Sequence, residues 1–445
     1  MDFKTFKTAI FQAAQQAGLT DYEVYYQTCQ STVATAYKDE INEFSASTEG
    51  GVCFRCIYGG KMGYVSTESL DSARAEDLVR WAMDNAAVLE AEEEVFLAQG
   101  GQEYRKWSGK NYKLPTTAEL IELVLQAQNA LYRAGAVDGT MVRGVAECNT
   151  IAISNSKGLD VETKVNICAL ILNVVVGTEE KASDYTIKVG APDSFDCKAI
   201  AEKVTASAKA KLGGSVPGTG TMPVIFTPKA MADLLSNFAS VFSAGAAQKG
   251  LSRLGDKEGQ VIAAPCVTVT DDPCHPDSPI PMVFDGEGSP TKKKTVIEGG
   301  VLQTLLYNLK TAKVAGKKTT GNGAKTGFDS VVGTAPFALS LSGGDVTEQE
   351  LIAMAGDGVY IESLAGLHAG TNAVTGDFSL QSQGFLIEGG KKTVPIKGFT
   401  VAGNFYQLLK NIRALADNSC LPMPIGMTTF GAPSTLVDGL TVAGK

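Results

Sequence analysis

GGSVPGTGTMP, Gly213 to Pro223, is the stretch on which the fold reading turns. Gly opens backbone conformations that other residues resist and Pro closes most of them. With only Val216 and Met222 apolar, the segment reads as a boundary rather than an element. Upstream, helical and strand-like patterns alternate. Thr116 to Arg133 places Leu120, Leu123, Val124, Ala127 and Leu131 on one helical face. Met141 to Asn155 and Asp160 to Gly177 read as a long hairpin across Ser156-Lys157-Gly158, and Asp193 to Leu212 as another helix. The same order stands before it. An amphipathic Met1 to Gln16 leads into strands Asp21 to Tyr37 and Glu40 to Ser47. A hairpin from Gly51 to Ser66 follows, and then a helix from Ser69 to Leu89 that Ser69 or Asp71 can cap. Glu90 to Pro115 reads as a polar connection. Downstream of Pro223 come a short strand (Val224 to Thr227), a helix (Lys229 to Ala247) and then mostly strand and turn, interrupted by one helix from Phe405 to Ala416.

These patterns predict an α+β chain. An N-terminal α/β region over 1-215 is built from two helix–antiparallel strands–helix units, about 1-95 and 114-212. A mainly β, barrel-like C-terminal domain follows over 216-445. Length supports this: 445 residues suit two or three domains. The 39 basic and 48 acidic residues leave a net charge of −9, which argues against a general grip on nucleic acid. No apolar stretch is long enough to span a bilayer: Ile167 to Val176 is short and broken by Asn173. No apolar core of a secretory signal follows the opening helix, and nine scattered cysteines read as reduced thiols, so a cytoplasmic location is expected. The 48 glycines suit a β-rich body with tight turns.

Chemistry-bearing residues are few. The only histidines, His275 and His368, lie 93 positions apart, so no helix carries a zinc-binding pair with a neighbouring Glu. Cys274-His275 sits in a Pro-rich turn read as carrying solvated acids. Cys53-Phe54-Arg55-Cys56 lies in a strand, where positions three apart face opposite ways, and reads as two half-exposed core cysteines. Gly321 to Gly327 fails the spacing of a phosphate-binding loop and reads as a flexible surface loop, and Lys292-Lys293-Lys294 as a solvated hairpin face. Asp285-Gly286-Glu287-Gly288 offers two acids on a glycine-rich turn, whose separation decides whether they can do acid/base work. His368 to Ser379 surrounds a histidine and an acid with small hydrogen-bonding residues. It reads either as a turn array satisfying its own backbone or as the lip of a peptide cleft.

This last segment resembles the TldD/PmbA family. HAGTNAVTGDFSLQSQGFLIEGGKKTVPIKGFTVAGN, His368 to Asn404, is similar to the family's C-terminal signature. Asp271-Asp272-Pro273, Phe284 to Gly288 and Gly299 to Leu302 resemble its central hairpins, and Gly51 to Tyr64 with Leu70 its N-terminal segment. The family's TldD branch carries an H-E-x-x-x-H zinc helix and a later cysteine. The helix after Val224 to Pro228 should hold that motif, and here its window falls on Ser236 to Val241, with Cys420 near the cysteine position. The resemblance therefore implies the PmbA (TldE) branch: a chain with no catalytic residue and no metal of its own, zinc coming only from a TldD-like partner. It implies a heterodimer with that subunit, a homodimer when alone, a peptide substrate (unfolded or leader peptides), and neither nucleic acid nor membrane. Peptide-binding candidates are His368, Gly370, Asn372, Thr375, Asp377, Ser379, Asp285 and Glu287. Two other readings stay open: an independent hydrolase built from His368, Asp377, Asp285 and Glu287, and a non-enzymatic protein of the kind once labelled modulator of DNA gyrase.

Overall fold

The computed structural model describes residues 2–90, 96–107, 111–421 and 428–445. The N-terminal region holds α1 (Phe3–Gln16), β1 (Tyr22–Tyr37), β2 (Glu40–Tyr58), β3 (Lys61–Thr67), α2 (Ala75–Ala87), α3 (Thr117–Ala134), β4 (Met141–Asn155), β5 (Asp160–Val176), β6 (Ala182–Val189) and α4 (Cys197–Ala210). The two helix–strands–helix units do not form two sheets. β1 pairs with β4 along almost its whole length, giving one antiparallel sheet in the order β3-β2-β1-β4-β5-β6. Three details differ from the sequence reading. Glu40 to Tyr58 is one strand that runs through Gly50-Gly51, β6 was not expected, and the helix after Ser69 begins only at Ala75, behind a short 3₁₀ turn capped by Asp71. α3 starts as read, with Thr116 and Glu119 forming a reciprocal cap.

Helices cover one face of this sheet. α1 and α2 bury Phe6, Ile10, Leu78 and Val79 against Phe54 and Cys56. α3 and α4 bury Leu120, Val124 and Val204 against Val142 and Leu170. The helix-to-sheet approach is close: a Cβ at Gly63 would lie 1.8 Å from the Ala82 carbonyl oxygen, so only Gly fits there. The opposite face, with Tyr25, Cys53, Ile151 and Ile153, packs on Met282, Phe284 and Phe337 of the C-terminal domain. Cys53 and Cys56 thus face opposite ways as strand geometry requires, but both are fully buried rather than half-exposed.

The C-terminal domain continues with β7 (Gly220–Phe226), α5 (Pro228–Phe238), α6 (Ala244–Gln248), β8 (Val269–Asp271), β9 (Lys294–Glu298), β10 (Val301–Leu302), α7 (Leu309–Val314), β11 (Gly323–Ala324), β12 (Gly333–Thr334), β13 (Ala338–Leu341), α8 (Glu348–Ala355), β14 (Gly358–Ala365), α9 (Leu367–Gly370), β15 (Asp377–Glu388), β16 (Lys391–Asn404), α10 (Phe405–Lys410), β17 (Ile412–Leu415), β18 (Thr429–Gly431) and β19 (Thr435–Ala443). The order β16-β15-β14-β7-β19-β17, with an added β16–β19 pairing, closes five strands into a barrel and leaves β17 beside β19. Phe226, Phe238, Phe399 and Phe405 fill one core; each large apolar side chain buried this way contributes about 1.5–3 kcal/mol. A second sheet, β10-β9-β8-β13-β18, carries the hairpins nearest the N-terminal region.

Other expectations fail for tertiary reasons. Lys229 to Ala247 is three pieces, α5, a 3₁₀ turn and α6, because Ser243 leaves the helix to pair with Leu306 and cap α6. Phe405 to Ala416 is helical only to Lys410, since Ile412 to Leu415 is recruited as β17. Helices α7, α8 and α9 were not foreseen. Gly213 to Pro223 is fastened at several points: Ser215 bridges Ile396, Thr219 and Pro217 bond Lys445, and β7 begins at Gly220. In the connection Glu90 to Pro115, residues 91–95 and 108–110 lie outside the described residues. The remainder is not merely a polar linker. Leu97 and Ala98 are buried, the Tyr104 hydroxyl donates to the Gly288 carbonyl (2.8 Å), and Arg105 pairs with Asp272 (3.1 Å).

Candidate functional site

The turn after Phe284 is inserted between the two regions, and its backbone explains its acids. Phe284 pairs with Pro290, and Gly288 takes φ +80° to close the turn. Asp285 Oδ1 accepts from the backbone N–H groups of Glu287 and Ser289 (2.9 Å each), and Oδ2 from Gly323 N–H (2.8 Å). Glu287 Oε2 accepts from Leu309 N–H (2.8 Å), at the start of α7. Both carboxyls converge on Gly323, where a Cβ would sit 2.9 Å from Glu287 Oε2 and 3.1 Å from Asp285 Oδ2. Both are buried, Asp285 completely and Glu287 to 4% exposure. Burial pushes Asp285 up to about 6 against the pull of its three N–H donors. Burial, and then the neighbouring Asp285 charge, push Glu287 up to about 8. Near neutral pH this pair retains a proton, and Glu287, with fewer donors, is the better place for it.

From the N-terminal sheet, Arg55 faces this pair. It sits directly across from Glu23 in the β1–β2 register, with Nε 2.7 Å and Nη2 2.6 Å from Glu23 Oε1. Burial opposes the guanidinium charge most, but Glu23, Tyr64 and Glu287 together outweigh it and raise the Arg55 pKa. Arg55 and Glu287 both line a cleft of about 800 Å³ between β2, β3 and the segments around α6 and α7. Apolar Met62, Phe96 and Leu251 and polar Asn308 and Thr334 complete much of its wall.

Next to it lies a second buried network. Asp271 Oδ2 meets Lys294 Nζ (2.9 Å) and Asn322 Nδ2 (2.8 Å), while Oδ1 accepts from the Phe337 and Ala338 N–H groups. Burial would raise Asp271, yet Lys294 and these donors hold it below the usual carboxylate range. Three sequence expectations are corrected here. Asp271 and Asp272 are buried rather than solvated; Lys294 is buried under its partner; and Gly321 to Ala324 belongs to the core of the junction rather than to a surface loop, with Asn322 fully buried.

The His368 segment is different in kind. His368 lies on α9 and is exposed, as are Asn372, Asp377 and Ser379, with Gly370 and Thr375 half-buried. Asn372 Oδ1 accepts from Val374 and Thr375 N–H (3.0 and 3.1 Å), and Asn404 Nδ2 donates to Asp377 Oδ1 and the Thr375 carbonyl (2.8 Å each). Gly370 packs where a Cβ would come 2.4 Å from the Ser379 carbonyl. Apart from His368 and Ser379, these side chains serve the turn itself. Among the described residues no hydrogen bond or ion pair links His368 or Asp377 to Asp285 or Glu287, and neither His368 nor Asp377 lines the cleft. The structure does not assemble the composite acid–histidine site.

Zinc does not fit the window read from sequence. Ser236 to Val241 ends α5 and forms the next 3₁₀ turn, with Phe238 and Val241 buried and Asn237 bonded back to the Asp233 carbonyl. Among the described residues no group of three His, Cys, Asp or Glu could hold a metal ion. Sequence reasoning missed Arg55 and Glu23. The available signal was a charge of each sign at register-opposed positions in otherwise apolar strand runs.

This chain, a closed β-barrel joined by a buried acid turn to a helix-covered antiparallel sheet, falls in the class of metallopeptidase-related proteins of the PmbA/TldA type. Residues 22–86 match PmbA/TldA metallopeptidase domain 1, residues 110–212 its central domain and residues 219–444 its C-terminal domain, and the chain belongs to this PmbA/TldD family. A metalloprotease PmbA homolog from Haemophilus influenzae is 24% identical over 394 residues, covering 86% of this chain and 84% of that protein. A metalloprotease TldD homolog from the same organism is 28% identical over 207 residues, covering 44% of this chain and 42% of that one. The crystal structure of a candidate modulator of a DNA gyrase from Thermotoga maritima superposes with a TM-score of 0.89 at 28% identity, covering 99% of this chain and all of the other. No helix among the described residues is long and apolar enough to cross a membrane.

Proposed function

We propose that this chain is the PmbA-branch, non-catalytic subunit of a two-chain zinc peptidase: a cytosolic protein that pairs with a TldD-like subunit, self-associates in its absence, and holds unfolded or leader peptides in extended form for the partner to cleave. One observation carries the reading. The window that would supply two imidazoles and a carboxylate holds Ser236 to Val241, and the chain's two histidines are 93 positions apart. The similarity to a PmbA homolog over 86% of the chain, against 44% for a TldD homolog, supports the same branch.

Extended peptides are commonly held by an open strand edge. β3 covers β2 only along Val52–Tyr58, while β2 pairs with β1 from Glu40 onward, so Glu43 to Gly50 presents such an edge. The test is elemental analysis and cleavage of an unfolded peptide, with the chain alone and then mixed with a TldD-like protein. The chain alone is expected to hold no stoichiometric zinc and cleave nothing, with cleavage appearing in the mixture. Stoichiometric zinc in the lone chain, with chelator-sensitive cleavage, overturns the reading.

A further inference from the structure

Along β2 the sheet changes from two-sided to one-sided. β1 pairs with β2 without a break from Cys56 back to Glu43, the one register shift falling between Thr35 and Ala36. β3 covers only Val52 to Tyr58. Glu43 to Gly50 therefore has a neighbour on one side and, among the described residues, an open backbone edge on the other. Every residue from Asn42 to Glu49 is exposed. At about 3.4 Å per residue this edge takes a strand of seven or eight residues. One end of the slot is closed, since β3 finishes hard against Gly51, where a Cβ would lie 2.3 Å from the Thr67 carbonyl oxygen.

Strand geometry sorts the side chains of this edge. Glu43, Ser45, Ser47 and Glu49 share one face, opposed across β1 by Thr35, Val33, Ser31 and Cys29; Phe44, Ala46 and Thr48 share the other. The two glutamates are thus six positions apart on one face, about 20 Å. Glu43 accepts from the Thr35 hydroxyl (3.3 Å), and neither glutamate has an ion-pair partner among the described residues. No Lys or Arg lies between Asp39 and Cys53. Two strands in, the same face carries Glu147 across from Ser31 and a single cation, Arg143, across from Thr35. Charges on a strand edge ordinarily keep other chains away. Here those on the edge are all of one sign, and no Pro or Lys interrupts it. Two such edges repel each other, which disfavours a second copy, and a neutral strand gains nothing from the glutamates. A basic strand gains a cross-strand ion pair at each of them.

We propose that the open edge of β2 takes a basic peptide segment as an added strand. Cationic side chains six residues apart meet Glu43 and Glu49, while an apolar side chain on the other face packs beside Phe44, which is 47% exposed. This rests on the peptide reading of function above and deepens it by naming the substrate class: extended segments with Lys or Arg at even spacing. It depends on neither the partner subunit nor zinc, and no bond is made or broken.

The experiment measures binding of three N-terminally labelled heptapeptide amides to the full chain at pH 7 and low salt. The first is Lys-Thr-Thr-Val-Thr-Val-Lys, and the second replaces both Lys with Gln. The third, Lys-Thr-Thr-Lys-Thr-Val-Val, has the same composition as the first, but its two Lys are three apart and face opposite ways in a strand. The first is expected to bind about tenfold more tightly than the second and about threefold more tightly than the third. Added salt should erase both differences. N-methylating one alternate set of its peptide nitrogens should abolish binding, and methylating the other set should not. Glu43→Gln with Glu49→Gln should bring the first peptide down to the second, with circular dichroism unchanged because both side chains are exposed. Glu43→Lys with Glu49→Lys should instead prefer the heptapeptide that carries Glu at both ends. Equal binding of the Lys and Gln peptides, an unaffected Gln double variant or indifference to methylation each overturns the proposal, as does no binding at all. Peptide binding that weakens as the protein is concentrated assigns the edge to a second copy and likewise overturns it. Since neither zinc nor cleavage is read, failure here leaves the subunit reading to its own test.

Discussion

The turn at Asp285 to Ser289 and the turn at Thr371 to Asp377 are built from the same residue types and behave in opposite ways. Each is a glycine-closed loop in which a side-chain oxygen collects backbone N–H groups: Asp285 from three, Asn372 from two. The first is buried between two layers of the molecule, so its acids shift upward and one keeps a proton. The second is at the surface, where the Asn404 side chain and then Thr375 lower the Asp377 pKa. Sequence motif sets hydrogen-bond geometry in both. Burial alone decides which carries unusual acid chemistry.

The sharpest way to break this comparison is to remove the buried acid that collects N–H groups in the first turn and the exposed acid of the second. Asp285→Ala leaves the Glu287, Ser289 and Gly323 N–H groups without their acceptor inside the junction and should cost about 3–5 kcal/mol, summing several buried losses of about 1–3 kcal/mol each. Asp377→Ala, at the exposed turn, should stay within about 0.5 kcal/mol, as for surface changes generally. Urea unfolding of the two variants checks this, and similar losses for both would remove burial as the explanation.

A smaller effect tests the protonation state directly. Glu287 is raised in the folded chain to about 8 from an ordinary 4.5. Its contribution to stability is therefore complete below the ordinary value and is lost as pH rises toward the folded one, because folding then retains a proton that the unfolded chain releases. Glu287→Gln removes that slope. The variant should match wild type near pH 4.5 and gain on it steadily to pH 8. Thermal midpoints across that range read the gap; a gap of constant size would mean that Glu287 is ionised throughout.

The sequence showed much of the scaffold because the scaffold is local. The one-sided apolar faces of α3 and α4 and the β4–β5 hairpin are legible in periodicity and turn chemistry. What stayed hidden depends on contacts distant in sequence. The β1–β4 pairing that fuses two units into one sheet cannot be read from either strand alone. Ile412 to Leu415 has a helix-compatible pattern, and only β19 makes it a strand. Lys294 looked solvated because its partners, Asp271 and Asn322, stand more than twenty positions away on either side. The acids at Asp285 and Glu287 were visible as candidates, but their separation and burial were not. Those depend on Gly323, Leu309 and the sheet residue Arg55, brought from three other parts of the chain.

The mildest test separates residues that build the exposed turn from the one that only sits on it. Asn372 supplies the oxygen that turns the chain toward β15, so Asn372→Ala should cost about 1 kcal/mol, comparable to losing a helix cap. His368 is exposed, near the end of the four-residue helix α9, and makes no hydrogen bond among the described residues that the turn requires. His368→Ala should therefore change stability by less than about 0.5 kcal/mol. His368 is also absent from the wall of the Glu287 cleft. A large effect of His368→Ala on peptide binding, with stability intact, would move the functional centre from the buried turn to the exposed one. The ranking drawn from burial would then be reversed.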